Sequence, residues 1–475
     1  MTDAAPAPAP SGGLGRQATF LAASTAFAQI LTALIYLFAA RVSGPTAFGQ
    51  VVTAIAIATS AVGVLDFGTN SLWIRETAKG ALTTHDLARR ALAKTLIALV
   101  AFSIGGVLLL VLSPNPWLWT AAPIAMFLLI SQTAQVPLRA HSRIGVVALS
   151  LVVDRLVGML VLFGGMLLGA DGAASLWLAL VCGSIGGTLL LVSQMPGRRR
   201  LLVSPELRHH PWRGSGFYGL SSMAATSQVL DVAIMSAVAG PAAAGIYGAV
   251  NRWTQPMGLA VSAFAAAAVL VVARARSWSA AWPQVKRALW LPGAALAACV
   301  VVIIGAPVFV DVLVGDAYAE SATVLRVLAF GTLFAIVNQP VAVFLQSLGR
   351  DRAVSFVTLS LVAIQLGLVA VLASLYGAVG AAFAFLLTQA CMLLLLLLLT
   401  RTGRARTGGE TRHEDPAVPP PPADRRRRDA GRQPRRGVAA ARPHQRAGLP
   451  RSGGGLDGEG RPRAAAAARH PRRRP

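Results

Sequence analysis

Asp154, Arg155, Asp231, Arg252 and Arg326 are ionisable residues set inside long apolar runs of the chain. A charge at such depth is costly in lipid and usually faces a bundle interior or a water-filled cavity. Arg252 and Arg155 each offer a planar fork of donors that suits phosphate oxygens, which makes them candidate contacts for a diphosphate headgroup. A second reading has Asp231 and Arg252 neutralise each other across adjacent helices, and Arg326 is expected to snorkel toward an interface. Asp154 or Asp231 could also hold a coupling cation. Asn251, Gln255, Asn338 and Gln339, with Gln132 and Gln135, could line a hydrophilic path that hydrogen-bonds sugars, or could join helices to one another.

No nucleophile–base constellation accompanies these residues. Cys182, Cys299 and Cys391 all lie in apolar runs without a CxxC or a Cys/His cluster, so neither metal nor disulfide is expected, and each reads as a small buried hydrophobe. No cofactor is implied. An enzyme such as a membrane glycosyltransferase or polymerase would need a sizeable extramembrane region, whereas the longest outer connector has about ten residues.

The elements that must position these groups are membrane helices. Hydrophobic residues make up 55% of the 475 and charged residues only 13%, too little polar surface for a soluble domain of this size. Apolar runs of about 20 residues recur, each able to cross a hydrocarbon core of about 30 Å, and without strand-type alternation they must be helices. The expected spans are 18–40, 47–65, 91–112, 118–138, 145–169 and 174–195, then 216–239, 244–272, 288–310, 321–347, 353–374 and 377–400. The first is long enough to remain as an anchor, and no cleavable signal peptide is expected. Alternate connectors carry eighteen basic residues, Lys94 among them, while the intervening ones carry Arg41 with Asp171, Asp311, Asp316 and Glu320. The positive-inside rule then puts both termini in the cytoplasm of a cell-membrane protein. Tryptophans such as Trp73, Trp117 and Trp290 are expected at the interfaces, and Asp66 is expected to serve a turn or cap at the end of the second span.

The chain is thus read as a cytoplasmic segment at 1–17, a six-helix bundle at 18–195, a basic linker at 196–215 and a second six-helix bundle at 216–400. The tail at 401–475 carries 20 Arg against seven acids, with PPPP at 419–422 and RRRR at 425–428. It cannot bury a core and is expected to be disordered. It reads either as text from a shifted GC-rich frame, since the chain has 40 Arg and 3 Lys, or as a segment drawn to anionic lipid heads; no nucleic-acid partner is expected.

An internal repeat connects the two bundles. Gly44-Pro45-Thr46-Ala47-Phe48-Gly49 introduces the second span, and Gly240-Pro241-Ala242-Ala243-Ala244-Gly245 introduces the eighth, six spans later. Repeats of even span number are parallel, and substrate sites in such proteins lie between the repeats. Together with VLDFGTN at 64–70, IRE at 74–76, the run at 230–256, GDAYAESATVLRVLAFG at 315–331 and LQSLGRDR at 345–352, the stretch RVSGPTAFGQ at 41–50 resembles the Wzx-type polysaccharide flippases. These belong to the multidrug/oligosaccharidyl-lipid/polysaccharide exporter superfamily. The resemblance covers about residues 15–400. It implies two six-helix bundles around a central cavity, which by alternating access carry a polyprenyl-diphosphate-linked oligosaccharide to the outer leaflet. Membrane lipids, a coupling ion and polymerase or glycosyltransferase partners come with that reading. A multidrug exporter or a peptidoglycan-precursor flippase are the alternatives within the superfamily.

Overall fold

The computed structural model describes residues 13–195, 210–254, 261, 264, 286, 289–347 and 350–407. Gln255, Pro256, most of the basic linker, much of the eighth span and the tail from residue 408 lie outside the described residues. Those described form helices α1 (Gly13–Asp66), α2 (Thr69–Ala78), α3 (Thr84–Leu112), α4 (Ala121–Ala140), α5 (Ile144–Leu167) and α6 (Gly172–Ser193), then α7 (Gly216–Ser227), α8 (Leu230–Asn251), α9 (Trp290–Leu313), α10 (Ser321–Ser347) and α11 (Asp351–Thr407). Nine helices among the described residues are long and apolar enough to cross a membrane.

Three of them are hairpins. At 1.5 Å per residue, Tyr36 and Phe48 of α1 would stand about 18 Å apart along a straight helix, yet their ring centroids are 6.2 Å apart. Tyr247 of α8 donates to Asp231 at 2.8 Å although sixteen residues separate them. In α11, a Cβ on Gly380 would lie 1.9 Å from the carbonyl oxygen of Leu372. The reversals fall at Gly44, Gly240 and Gly377, each with non-helical backbone. Dividing α1, α8 and α11 there turns the nine candidate helices into twelve helical limbs among the described residues. The expected seventh span is not one unbroken helix: it is interrupted at Gln228–Val229, between α7 and α8.

Gly44 (φ 71°, ψ 168°) and Gly240 (φ 88°, ψ 165°) have nearly the same conformation, so the sequence repeat is also a backbone repeat. That region of backbone space is essentially restricted to glycine. A Cβ on Gly44 would meet nothing within 4 Å, so its replacement isolates the backbone cost. Gly44→Ala should therefore lower stability by about 1–3 kcal/mol, read as a lower unfolding midpoint of the detergent-solubilised protein; an unchanged midpoint would refute this account of the turn.

The surface matches lipid as solvent. In α9, Val300, Val301, Ile304, Val308 and Val312 are 45–74% exposed along one helical face, an apolar stripe that water would not tolerate. Inside, small residues bring helices close: a Cβ on Gly158 of α5 would sit 3.0 Å from the Ala179 carbonyl oxygen of α6. The α3 start is fixed by Thr83, whose hydroxyl accepts the Asp86 amide at 3.1 Å. Three sequence expectations need correction. Cys391 is exposed and Cys182 half-buried, because apolar runs have lipid-facing sides; only Cys299 is buried. Trp73 is buried rather than interfacial, and Lys94 is fully buried rather than part of a solvated connector. Lys94 is drawn inward by Asp66 at 2.5 Å, and the Trp73 ring covers its ammonium at 4.9 Å.

Candidate functional site

The second limb of α1 packs along α7 and α8. At one end the two glycine-proline motifs meet each other: a Cβ on Gly49 would lie 1.8 Å from the Pro241 carbonyl oxygen, and a Cβ on Gly245 would lie 1.9 Å from that of Pro45. Each glycine thus admits the opposite backbone, a reciprocal contact of small-residue type. Aromatic and polar contacts extend this clasp. Phe48 lies edge-on between Tyr36 and Tyr318, with centroids 6.2 and 6.5 Å away. Tyr318 donates to the Ala40 carbonyl at 3.0 Å and Ser321 to that of Ile246 at 2.8 Å. Burial pushes the Tyr318 phenol above its usual range, so it remains a donor.

Beneath the clasp lies a cavity of about 210 Å³ between α1, α8 and α11. Val52 and Ala56 form its α1 side; Asp231, Asn251, Arg252 and Gln365 supply polar groups. Asp231 is buried, accepting the Tyr247 hydroxyl at 2.8 Å and the Val232 amide at 2.6 Å. Arg252 is half-buried. It reaches back to α1, donating to the Tyr36 hydroxyl at 3.2 Å with its Cζ 4.8 Å from the Tyr36 ring centroid. That cation–π contact holds the guanidinium against α1.

The other candidates stand elsewhere. Asp154 is buried against α6, where a Cβ on Gly183 would come within 2.7 Å of its carboxylate; its ion pair with Arg155 spans 3.5 Å. Neither lines the cavity. Asn338 donates from α10 to the Gln389 carbonyl and side chain of α11 at 2.9 and 3.0 Å, which is helix-joining work. Gln339 is exposed, and Gln135 accepts from Arg139 at 2.6 Å. Arg326 is exposed and donates to the mid-helix Ile303 carbonyl of α9 at 3.3 Å, away from the helix end toward which it was expected to snorkel.

Sequence reasoning missed Tyr247 and Gln365 at the cavity and Tyr36 against Arg252. It also missed a buried cluster in which Lys94 Nζ donates to Asp66 at 2.5 Å, Thr69 at 2.9 Å and Asn70 at 3.0 Å, over the face of Trp73. Only Thr69 and Asn70, at i+3 and i+4 from Asp66, carried a local hint.

Helical hairpins that meet through paired glycine motifs around a polar cavity define a membrane transporter fold. Residues 14–273 match the family described as polysaccharide biosynthesis protein, and the chain belongs to that family. Two solved structures are similar over most of their length. One is an inward-facing multidrug resistance MATE family transporter of the MOP superfamily, with TM-score 0.62 and 14% identity over 81% of this chain and 96% of that one. The other is the lipid II flippase MurJ in an inward closed conformation, with TM-score 0.64 and 12% identity over 80% of this chain and 87% of that one. A search of curated protein sequences gives no match.

Proposed function

We propose that this protein flips a polyprenyl-diphosphate-linked oligosaccharide from the cytoplasmic to the outer leaflet for cell-surface polysaccharide synthesis. The observation that carries this reading is Arg252, a guanidinium held in a cavity between the two repeats by the ring of Tyr36. Family membership supplies the substrate class, and Arg252 supplies the chemistry that class requires. Asn251 and Gln365 beside it offer hydrogen bonds to sugar hydroxyls, with Gln255 a further candidate. Asp154, paired with Arg155, is better assigned to packing against α6 and Asn338 to joining α10 to α11, while Gln339 is exposed away from the cavity. A cavity of about 210 Å³ is smaller than the about 300–1,000 Å³ of ordinary ligand pockets, so in this reading the repeats part to admit the ligand.

Asp231, hydrogen-bonded to Tyr247 within the same cavity, is placed to respond to a proton or cation and so to couple transport to a gradient. The proposal has the basic connectors in the cytoplasm. Reporter fusions after Arg200 and Arg350 should then read cytoplasm, and one near Asp316 the outside; a cytoplasmic signal at Asp316 would refute the orientation.

The function is tested by depleting the protein in its own cell and following lipid-linked oligosaccharide. Precursor should accumulate in the cytoplasmic leaflet, and purified protein in liposomes should restore flipping. Normal export during depletion would overturn the reading. Flipping of lipid II alone would favour a peptidoglycan-precursor role, and drug efflux without either lipid would favour a multidrug exporter.

A further inference from the structure

The far end of the same α1 limb makes a second set of contacts with α7. Ser60 donates to the Thr226 carbonyl at 3.3 Å, and a Cβ on Gly63 would lie 2.0 Å from the Thr226 hydroxyl. Trp212 donates to the Leu65 carbonyl at 2.6 Å. Phe67 packs against the α7 backbone: a Cβ on Gly219 would sit 2.4–2.6 Å from three of its ring atoms. Ala56 of the cavity is eleven residues from Phe67, about 16 Å along a helix. Opening the cavity toward the basic connectors on this face therefore requires α7 to leave α1, and the Phe67 seat is one of the contacts that must break.

The backbone that presents Phe67 is strained. Phe67 has φ 42° and Gly68 φ 69°, and a bulky non-glycine residue at positive φ persists only where its surroundings hold it. Those surroundings are the buried cluster. Asp66 accepts Lys94 Nζ at 2.5 Å and the Thr69 hydroxyl at 3.1 Å, which ties both sides of the Phe67–Gly68 turn to α3. Lys94 is fully buried, and Asp66, Thr69, Asn70 and the Trp73 face surround its ammonium. Such a pair adds little net stability over an apolar equivalent, but removing one partner is severe; its value here is geometric.

We infer that Asp66 and Lys94 are positioning residues for transport: they set the turn that seats Phe67 on Gly219, the closure that must release for the cavity to open toward the basic side. The inference rests on the transporter reading above, but its test needs no lipid-linked substrate. A cysteine at Ala56, which lines the cavity and is 1% exposed, reports opening in full-length protein whose native cysteines are replaced. The measured quantity is its labelling rate by a membrane-impermeant maleimide applied from the basic side of membrane vesicles.

Phe67→Ala and Gly219→Leu leave the ion pair intact and should each raise labelling at least fivefold. Asp66→Asn combined with Lys94→Met removes both charges at similar volume and should do the same, and Asp66→Glu, which lengthens the acid, should raise the rate twofold or more. Wild-type rates in Phe67→Ala and Gly219→Leu would show that the seat closes nothing. Opening in those two, with wild-type rates in both Asp66 variants, would overturn the role of the pair. A neutral double variant lost from the membrane, with Asp66→Glu labelling as wild type, would make the cluster a fold determinant only and overturn it as well.

Discussion

Valine at position 245 should open the clasped end of the cavity and abolish transport. The first atom of a new side chain on Gly245 would lie 1.9 Å from the Pro45 carbonyl oxygen and 3.1 Å from the Gly49 amide, both backbone. Backbone cannot rotate aside as a side chain can, so the two motifs must separate. Overpacking of this kind costs about 1–3 kcal/mol, which shifts a two-state equilibrium by about 5- to 150-fold. The lost contact exists only where the repeats touch, so the clasped state bears the cost while each repeat keeps its own packing. A cysteine at Ala56 should then label faster, by about tenfold, from the side opposite the basic connectors, with membrane abundance near wild type. Gly49→Val should reproduce the effect, because a Cβ there would meet the Pro241 carbonyl oxygen at 1.8 Å. An unchanged rate in both would show that the paired motifs are not a gate.

The membrane class and most of the helices were legible because they rest on a local property, the length of apolar runs. The repeat was legible for the same reason, as Gly-Pro-x-x-x-Gly at 44–49 and 240–245 is a short string. That the two strings touch each other was not legible, since no local pattern encodes which repeat faces which. Asp66 illustrates the boundary further. Its turn was visible in Asp66-Phe67-Gly68, but its partner Lys94 is 28 residues away on another helix, and a basic residue near a span end reads as a solvated charge. Trp73 misled for a related reason: an indole near a span end usually marks the interface, whereas here it covers a buried ammonium. At the cavity, Arg252, Asp231 and Asn251 were found because intramembrane polarity is rare. The same rule also selected Asp154, whose burial against α6 depends on the glycines at 183 and 187, and its half-buried neighbour Arg155.

Arg252 offers the sharpest separation between a ligand contact and a structural charge. Asp231 keeps the Tyr247 hydroxyl and the Val232 amide as donors whether or not Arg252 is present. Arg252→Ala should therefore leave abundance close to wild type while reducing flipping about thirtyfold or more, since truncating one member of a desolvated, hydrogen-bonded charge pair costs about 2–5 kcal/mol. Arg252→Lys should restore only part of the activity, because an ammonium replaces a bidentate fork. Tyr36→Leu should fall between them, as it removes the 3.2 Å hydrogen bond and the ring that aims the guanidinium but leaves the charge. The decisive variant combines Asp231→Asn with Arg252→Ala. If Arg252 chiefly neutralises Asp231, the single Arg252→Ala protein is depleted from the membrane and the double change restores both abundance and flipping. If Arg252 grips the diphosphate, the double variant is abundant and still inactive, because neutralising the acid cannot replace the missing cation. Lipid-linked oligosaccharide flipped by the double variant at a near wild-type rate would sink the headgroup contact.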